Sequence, residues 1–190
     1  MQYTSDISTQ TLEIKQSKFI AWLTPYDKYQ ETLLKLKDEH PKARHFVTAF
    51  RYLNEYDQVV EHSSDDGEPK GTSGKPSLMV LQGQELINSA VIIVRYFGGT
   101  KLGTGGLVRA YSDAVNLVIS EAEFKEYKKE KFLTIEIEYS DVRFIDYECT
   151  AFRVTVLEKI FDAKVIYNIK SDENNMLEFL EKVKRVVTTL

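Results

Sequence analysis

Every glycine in this 190-residue chain lies between Gly67 and Gly106, nine in all and most of them in two clusters. Glycine is favoured where backbone takes positive φ or passes close to another group, so the irregular, shaped backbone is confined to that stretch. The first cluster reads Asp65-Asp66-Gly67-Glu68-Pro69-Lys70-Gly71-Thr72-Ser73-Gly74-Lys75-Pro76. The second reads Arg95-Tyr96-Phe97-Gly98-Gly99-Thr100-Lys101-Leu102-Gly103-Thr104-Gly105-Gly106. The remainder of the chain is left to regular elements, and function is to be sought at the two clusters.

Periodicity supplies those elements. Residues 11–24 alternate as a strand pair, and Pro25, Asp27 and Gln30 open a helix to about Glu39 with Tyr29, Leu33 and Leu36 on its apolar face. Phe46 to Arg51 alternates as a strand. Asn54 to Pro76 is too polar and turn-rich for core and reads as a long loop with a short strand at Gln58–Glu61, a length more often functional than decorative. A short helix is expected over Ser77–Glu85, a buried strand over Ala90–Phe97, and then a helix carrying Leu107, Tyr111, Ala114 and Val118 at helical spacing. The second cluster therefore joins a strand to a helix. The charge-dense, aperiodic Glu123–Lys131 marks a domain junction, giving domains 1–124 and 125–190. After it come strand Phe132–Tyr139, helix Val142–Phe152, strands Val154–Ile160 and Lys164–Ile169, helix Asn174–Lys184 and strand Val186–Leu190. That order, βαββαβ, is ferredoxin-like, so the fold class is α+β in two domains, the first of βαβ type.

Composition narrows the function classes. A hydrophobic content of 43% in a chain of this length builds real cores, and a net charge of −4 argues against wholesale coating of nucleic acid while leaving a local basic patch open. The single cysteine, Cys149, excludes an internal disulfide framework and reads as a small buried hydrophobe. The first residues show neither a basic start nor an apolar signal core, and no run reaches membrane-span length, so the expectation is a cytoplasmic protein without membrane contact.

The second cluster ends at the amino end of a helix, where unpaired N–H groups and the helix dipole attract anions, and Lys101 and Arg109 strengthen the bias. A cation so near that end is opposed by the dipole, which is explained either by an anion in front of Arg109 or by an ion pair with Asp113. Named phosphate motifs fail: Pro76 stands where a P-loop after Gly74-Lys75 needs Ser or Thr, and Gly103 to Val108 lacks the last glycine of the dinucleotide fingerprint. Asp65, Asp66 and Glu68 are a candidate cation set without EF-hand spacing, and solvated turn carboxylates are the plainer reading. His45, His62, Ser63, Ser64 and Asp65 hold the parts of a hydrolytic triad without a nucleophile elbow or oxyanion hole. His40, His45, His62 and Cys149 have no metal-ligand spacing, so no metal and no cofactor is expected. Tyr96 and Phe97 either stack bases or pack on the following helix.

Read together, Lys18-Phe19-Ile20-Ala21, His45, Arg51, Ser64-Asp65-Asp66-Gly67-Glu68-Pro69, Gly71-Thr72, Gly74-Lys75-Pro76 and the run from Arg95 to Tyr111 resemble the IMPACT family, in its bacterial YigZ-like branch. The resemblance is strong over the first two-thirds of the chain and architectural beyond. Lys70 and Ser73 depart from it, standing where a small residue and an alanine are usual. It implies a first domain similar to the second domain of small-subunit ribosomal protein five and a second similar to domain five of elongation factor G. It also implies a role around translation, since eukaryotic relatives oppose activation of an initiation-factor kinase by competing for its ribosome-associated activator. Those relatives carry an additional amino-terminal protein-binding domain without a counterpart in these 190 residues.

The leading expectation is a non-enzymatic, translation-associated protein that binds RNA or the ribosome through phosphates. Its groove would be built by Arg51, Lys75, Arg95, Gly98, Gly99, Lys101, Gly103, Gly105, Gly106 and Arg109, with His45, Asp65, Asp66, Glu68 and Thr72 as a supporting loop. The competing expectation is an enzyme for a small phosphorylated or nucleotide substrate in the same groove, with Asp65, Asp66 or Glu68 as acid, base or metal ligand and Lys101 or Arg109 as phosphate clamp. A third is a protein partner bound through the sheet of the second domain.

Overall fold

The computed structural model describes residues 1–190 and divides into two compact units, Met1–Tyr127 and Lys128–Leu190. No helix is long and apolar enough to cross a membrane.

The first unit is built on a five-stranded antiparallel sheet in the order β2-β3-β6-β4-β5, formed by β2 (Ser8–Ile14), β3 (Ser17–Pro25), β6 (Ser89–Tyr96), β4 (His45–Leu53) and β5 (Val59–Ser64). The central strand β6 is apolar from Ala90 to Val94 because both its faces are covered. Val91 and Ile93 join Phe19, Ala21, Leu23, Val47 and Ala49 in one core, while Ala90, Ile92 and Val94 join Tyr29 and Leu36 in the other. Helix α1 (Tyr29–Glu39) covers the second face, and α2 (Gly74–Gly83) and α3 (Gly103–Ser120) cover the first with Leu81, Leu107, Tyr111, Val115 and Val118. Full burial of an aliphatic side chain contributes about 1.5–3 kcal/mol, and these two layers hold the sheet that presents the glycine clusters.

Three local departures from the sequence reading have clear causes. The segment after Asn54 pairs with β4 as far as Ser64, since Thr48↔Ser64 and Phe50↔His62 face one another, so the strand expected at Gln58–Glu61 runs on to Ser64. Helix α2 begins at Gly74 rather than Ser77, because Pro76 falls in the first turn, where its missing N–H has no intrahelical partner to lose. Two short strands, β1 (Gln2–Thr4) and β7 (Phe124–Glu126), pair with each other, which places residues 125–127 in the first unit.

The second unit runs β8 (Glu130–Ile137), α4 (Val142–Ala151), β9 (Thr155–Phe161), β10 (Val165–Asp172), α5 (Glu173–Val183) and β11 (Val187–Thr189). Its antiparallel sheet has the order β11-β8-β10-β9, the ferredoxin-like arrangement, over a core of Ile135, Ile145, Tyr167, Met176 and Phe179. Asp172 caps α5 by accepting from Asn175 N at 3.0 Å. Cys149 is buried on α4, and burial, then Asp146, pushes its thiol pKa up to about 11, far from a reactive thiolate.

Candidate functional site

Strand register fixes where the glycine clusters meet. His45, the first residue of β4, pairs with Arg95 near the end of β6, and Thr48 pairs with Ser64 at the end of β5. Both α2 and α3 therefore begin at one end of the sheet, and the loops that lead into them, residues 65–73 and 97–102, lie there too.

The first loop is held by its own carboxylates. Asp65 Oδ1 accepts from Ser73 N at 3.1 Å, Ser73 Oγ at 2.7 Å and Gly74 N at 2.8 Å, while Oδ2 accepts from Gly71 N at 2.7 Å. Burial alone would raise the Asp65 pKa, but the N–H and O–H groups of Gly71, Ser73 and Gly74 outweigh it and hold the carboxyl below its usual range. Asp65 thus supplies the anion that the start of α2 attracts. Asp66 Oδ2 accepts from Phe46 N at 2.6 Å, its carbonyl lies 2.8 Å from His45 Nδ1, and Thr72 Oγ1 donates to Pro69 O at 2.7 Å. These are backbone fasteners rather than solvated turn carboxylates, and no group of His, Cys, Asp and Glu able to hold a metal is present.

Glu68 ties the two clusters together. Its side chain is 3% exposed; Oε1 accepts from Arg95 Nη1 and, at 2.8 Å, from the Tyr111 hydroxyl of α3. Arg95 also lies against the Phe19 and Phe97 rings, at 5.4 and 5.8 Å, and Phe19 meets Tyr111 edge to face at 5.1 Å. Burial, then the Glu68 charge, drives the Tyr111 hydroxyl far above its ordinary range, so it stays a donor. Arg95 is therefore a buried structural cation, not a groove-lining one: with its charge matched by Glu68 it is not offered to a ligand. Arg51 is likewise removed from the set. Its Nε donates to Glu61 at 2.7 Å and its Nη1 to Leu86 O at 2.8 Å, and it pairs across the sheet with Ser89, at the opposite end from the glycine loops.

The second loop is different. Gly98 is structural: a Cβ there would lie 2.0 Å from the Gln16 carbonyl carbon, and its N–H donates to Ser17 Oγ at 3.1 Å, so the loop is pressed onto the β2–β3 turn. Beyond it the backbone opens. Gly99, Thr100, Lys101, Gly103, Thr104 and Gly105 are exposed, and Gly106 is half-buried beneath Leu102. Helix α3 has no side-chain cap and no acidic residue in its first turn, and a Cβ at Gly105 would meet nothing within 4 Å apart from its chain neighbours and the backbone of its own helix. Lys101 and Arg109 are exposed, and Arg109 forms no ion pair with Asp113. Lys75 is exposed on the first turn of α2, the neighbouring helix. Of the cations singled out in the sequence, Lys75 and Lys101 remain unengaged at one end of the sheet and Arg109 in the second turn of α3. Periodicity gave no sign of the Glu68–Arg95–Tyr111 contact, whose partners are 27 and 43 residues apart.

This arrangement defines a two-domain α+β protein whose first unit carries paired glycine-rich loops, one closed by its own carboxylate and one open. Residues 15–119 match the Impact N-terminal domain model, and the chain belongs to the IMPACT family, in its bacterial YigZ-like branch. It is 39% identical over 157 residues to an IMPACT family member of Haemophilus influenzae, spanning 80% of this chain and 76% of that one. It is 32% identical over 174 residues to IMPACT family member YigZ of Escherichia coli, spanning 90% and 85%. A crystal structure described as that of an hypothetical protein superposes with a TM-score of 0.68 at 28% identity, over 100% of this chain and 95% of the other.

Proposed function

We propose that this protein is a translation-associated regulator that binds RNA, on or off the ribosome, by seating phosphates at the open amino end of α3. The observation that carries the reading is the contrast between two neighbouring helix starts. That of α2 is closed by Asp65, while that of α3 presents free N–H groups with Lys101 just ahead of it, Arg109 in its second turn and no acid in its first. An unmatched cation near a helix amino end is stabilised by an anion in front of it. Gly105 leaves the backbone approachable, and Lys75 extends the positive strip onto α2. Phosphate contacts of this kind position a nucleic acid without reading its sequence, in keeping with a net charge of −4 and a positive site that is only local. Family membership supports the link to translation, and the reading places the protein in the cytoplasm.

The carboxylates that an enzyme for a phosphorylated substrate would need are committed elsewhere: Asp65 and Asp66 fasten backbone and Glu68 neutralises Arg95. Co-sedimentation with ribosomal subunits, at low and physiological salt, tests the proposal. The protein is expected to pellet at low salt and the Lys101→Ala/Arg109→Ala double variant, confirmed folded by circular dichroism, to remain in the supernatant. Equal sedimentation of the two overturns it, and none for either excludes the ribosome as the partner.

A further inference from the structure

At the end of the first sheet opposite the glycine loops, where Pro25 pairs with Ser89, lies a cavity of about 580 Å³ lined by Tyr3, Tyr26, Asp27, Lys28, Tyr52 and Asn88, among others. That volume falls within the ordinary range of small-molecule clefts. Its walls are tied by ring stacking and hydrogen bonds. The Tyr26 and Tyr52 rings stack at 4.1 Å and 7°, and Phe50 buttresses the pair at 5.0 Å from Tyr26 and 6.0 Å from Tyr52. Asn88 is held on three sides: its backbone takes φ 49°, its carbonyl accepts from Tyr26 N at 2.9 Å, and its Oδ1 accepts from Leu53 N at 3.0 Å.

Fixing Oδ1 fixes the amide Nδ2 as well, and that donor has no partner in the protein. The Tyr3 hydroxyl is also unpartnered, and Asp27 and Lys28, both exposed, form no ion pair with any residue. The pocket therefore combines an aromatic wall with an oriented amide donor, a carboxylate acceptor and one ammonium whose charge that carboxylate balances. Such a set suits a flat, uncharged ring with donors and acceptors on its edge and gives no preference for a phosphate.

We propose that this pocket is a second ligand site, separate from the phosphate-binding end of the sheet, and that it takes a nucleobase or nucleoside. The ring stacks on the Tyr26–Tyr52 wall, Asn88 Nδ2 donates to an acceptor on the base edge, and Asp27 accepts from an exocyclic amine or a ribose hydroxyl. The proposal does not depend on RNA binding at α3, since none of its residues belongs to that end.

Two-dimensional amide NMR of the full chain, titrated with adenosine, guanosine, cytidine and uridine, tests it. At least one nucleoside is expected to give saturable shifts at the Leu53 amide and the Asn88 side-chain amide. Tyr52→Leu is expected to bind about tenfold more weakly through loss of stacking. Asn88→Asp, which keeps the oxygen that Leu53 needs, loses the donor and weakens binding, whereas Tyr52→Phe retains it. Thermal melts establish that each variant is folded. The 5′-monophosphate of the best nucleoside should bind no tighter than the nucleoside itself. Absence of saturation with all four at millimolar concentration overturns the proposal. So does unchanged affinity in Tyr52→Leu, equal affinity for benzyl alcohol, or a response confined to the phosphorylated form.

Discussion

Glu68, Arg95 and Tyr111 share one buried contact that joins the first glycine loop to β6 and α3. Removing the carboxylate charge leaves a guanidinium buried without a counter-charge. Glu68→Ala is therefore expected to lose about 3–5 kcal/mol of stability in urea denaturation, and a loss under 1 kcal/mol would show that Arg95 finds another outlet. Asp65 makes a separate prediction. Its pKa is lower in the folded chain than in the unfolded one, so its stabilisation is complete above about pH 4 and is lost as pH falls through the folded value. Wild-type stability should accordingly fall more steeply than that of Asp65→Asn below pH 4, and parallel acid limbs would contradict the cap. At neutral pH, Asp65→Ala should lose about 1–2 kcal/mol as a removed helix cap.

At the scale of elements, the two glycine classes separate experimentally. Gly98→Ala forces a methyl into the backbone at Gln16 and should lose about 1–3 kcal/mol or more, displacing the loop before α3. Gly105→Ala meets empty space on an exposed helical turn and should raise stability by up to about 1 kcal/mol in thermal or urea denaturation. If phosphates approach the α3 backbone, that same methyl weakens RNA binding; a variant that is more stable and binds unchanged would place the RNA elsewhere. Elements of this kind were largely legible in the sequence. The apolar run of β6 and the Leu107, Tyr111, Ala114, Val118 spacing of α3 announce themselves through local periodicity. What was not legible is pairing at a distance. Whether Arg51 and Arg95 are free or matched depends on Glu61 and Glu68, ten and 27 residues away, which no spacing rule encodes, and the helical spacing that offered Asp113 to Arg109 names a pair the structure does not form. The short strands β1 and β7 were missed for the same reason, since each is three residues long and defined only by the other.

For the whole molecule, each unit has a core of its own, Leu81 to Val118 with the β6 face in one and Ile135 to Phe179 in the other. A fragment of residues 1–127 should fold cooperatively and retain the full chain's RNA affinity, while 128–190 should fold and bind no RNA by filter retention; the reverse pattern would move the site to the ferredoxin-like unit. The central claim, that phosphates sit at the open end of α3, is tested most directly by the salt dependence of binding to a structured ribosomal RNA fragment. Each phosphate contact contributes roughly 0.7–0.9 to the slope of log affinity against log salt. The Lys101→Ala/Arg109→Ala variant should therefore bind more weakly with a slope shallower by roughly 1.4–1.8. An unchanged slope in the folded double variant would contradict the account.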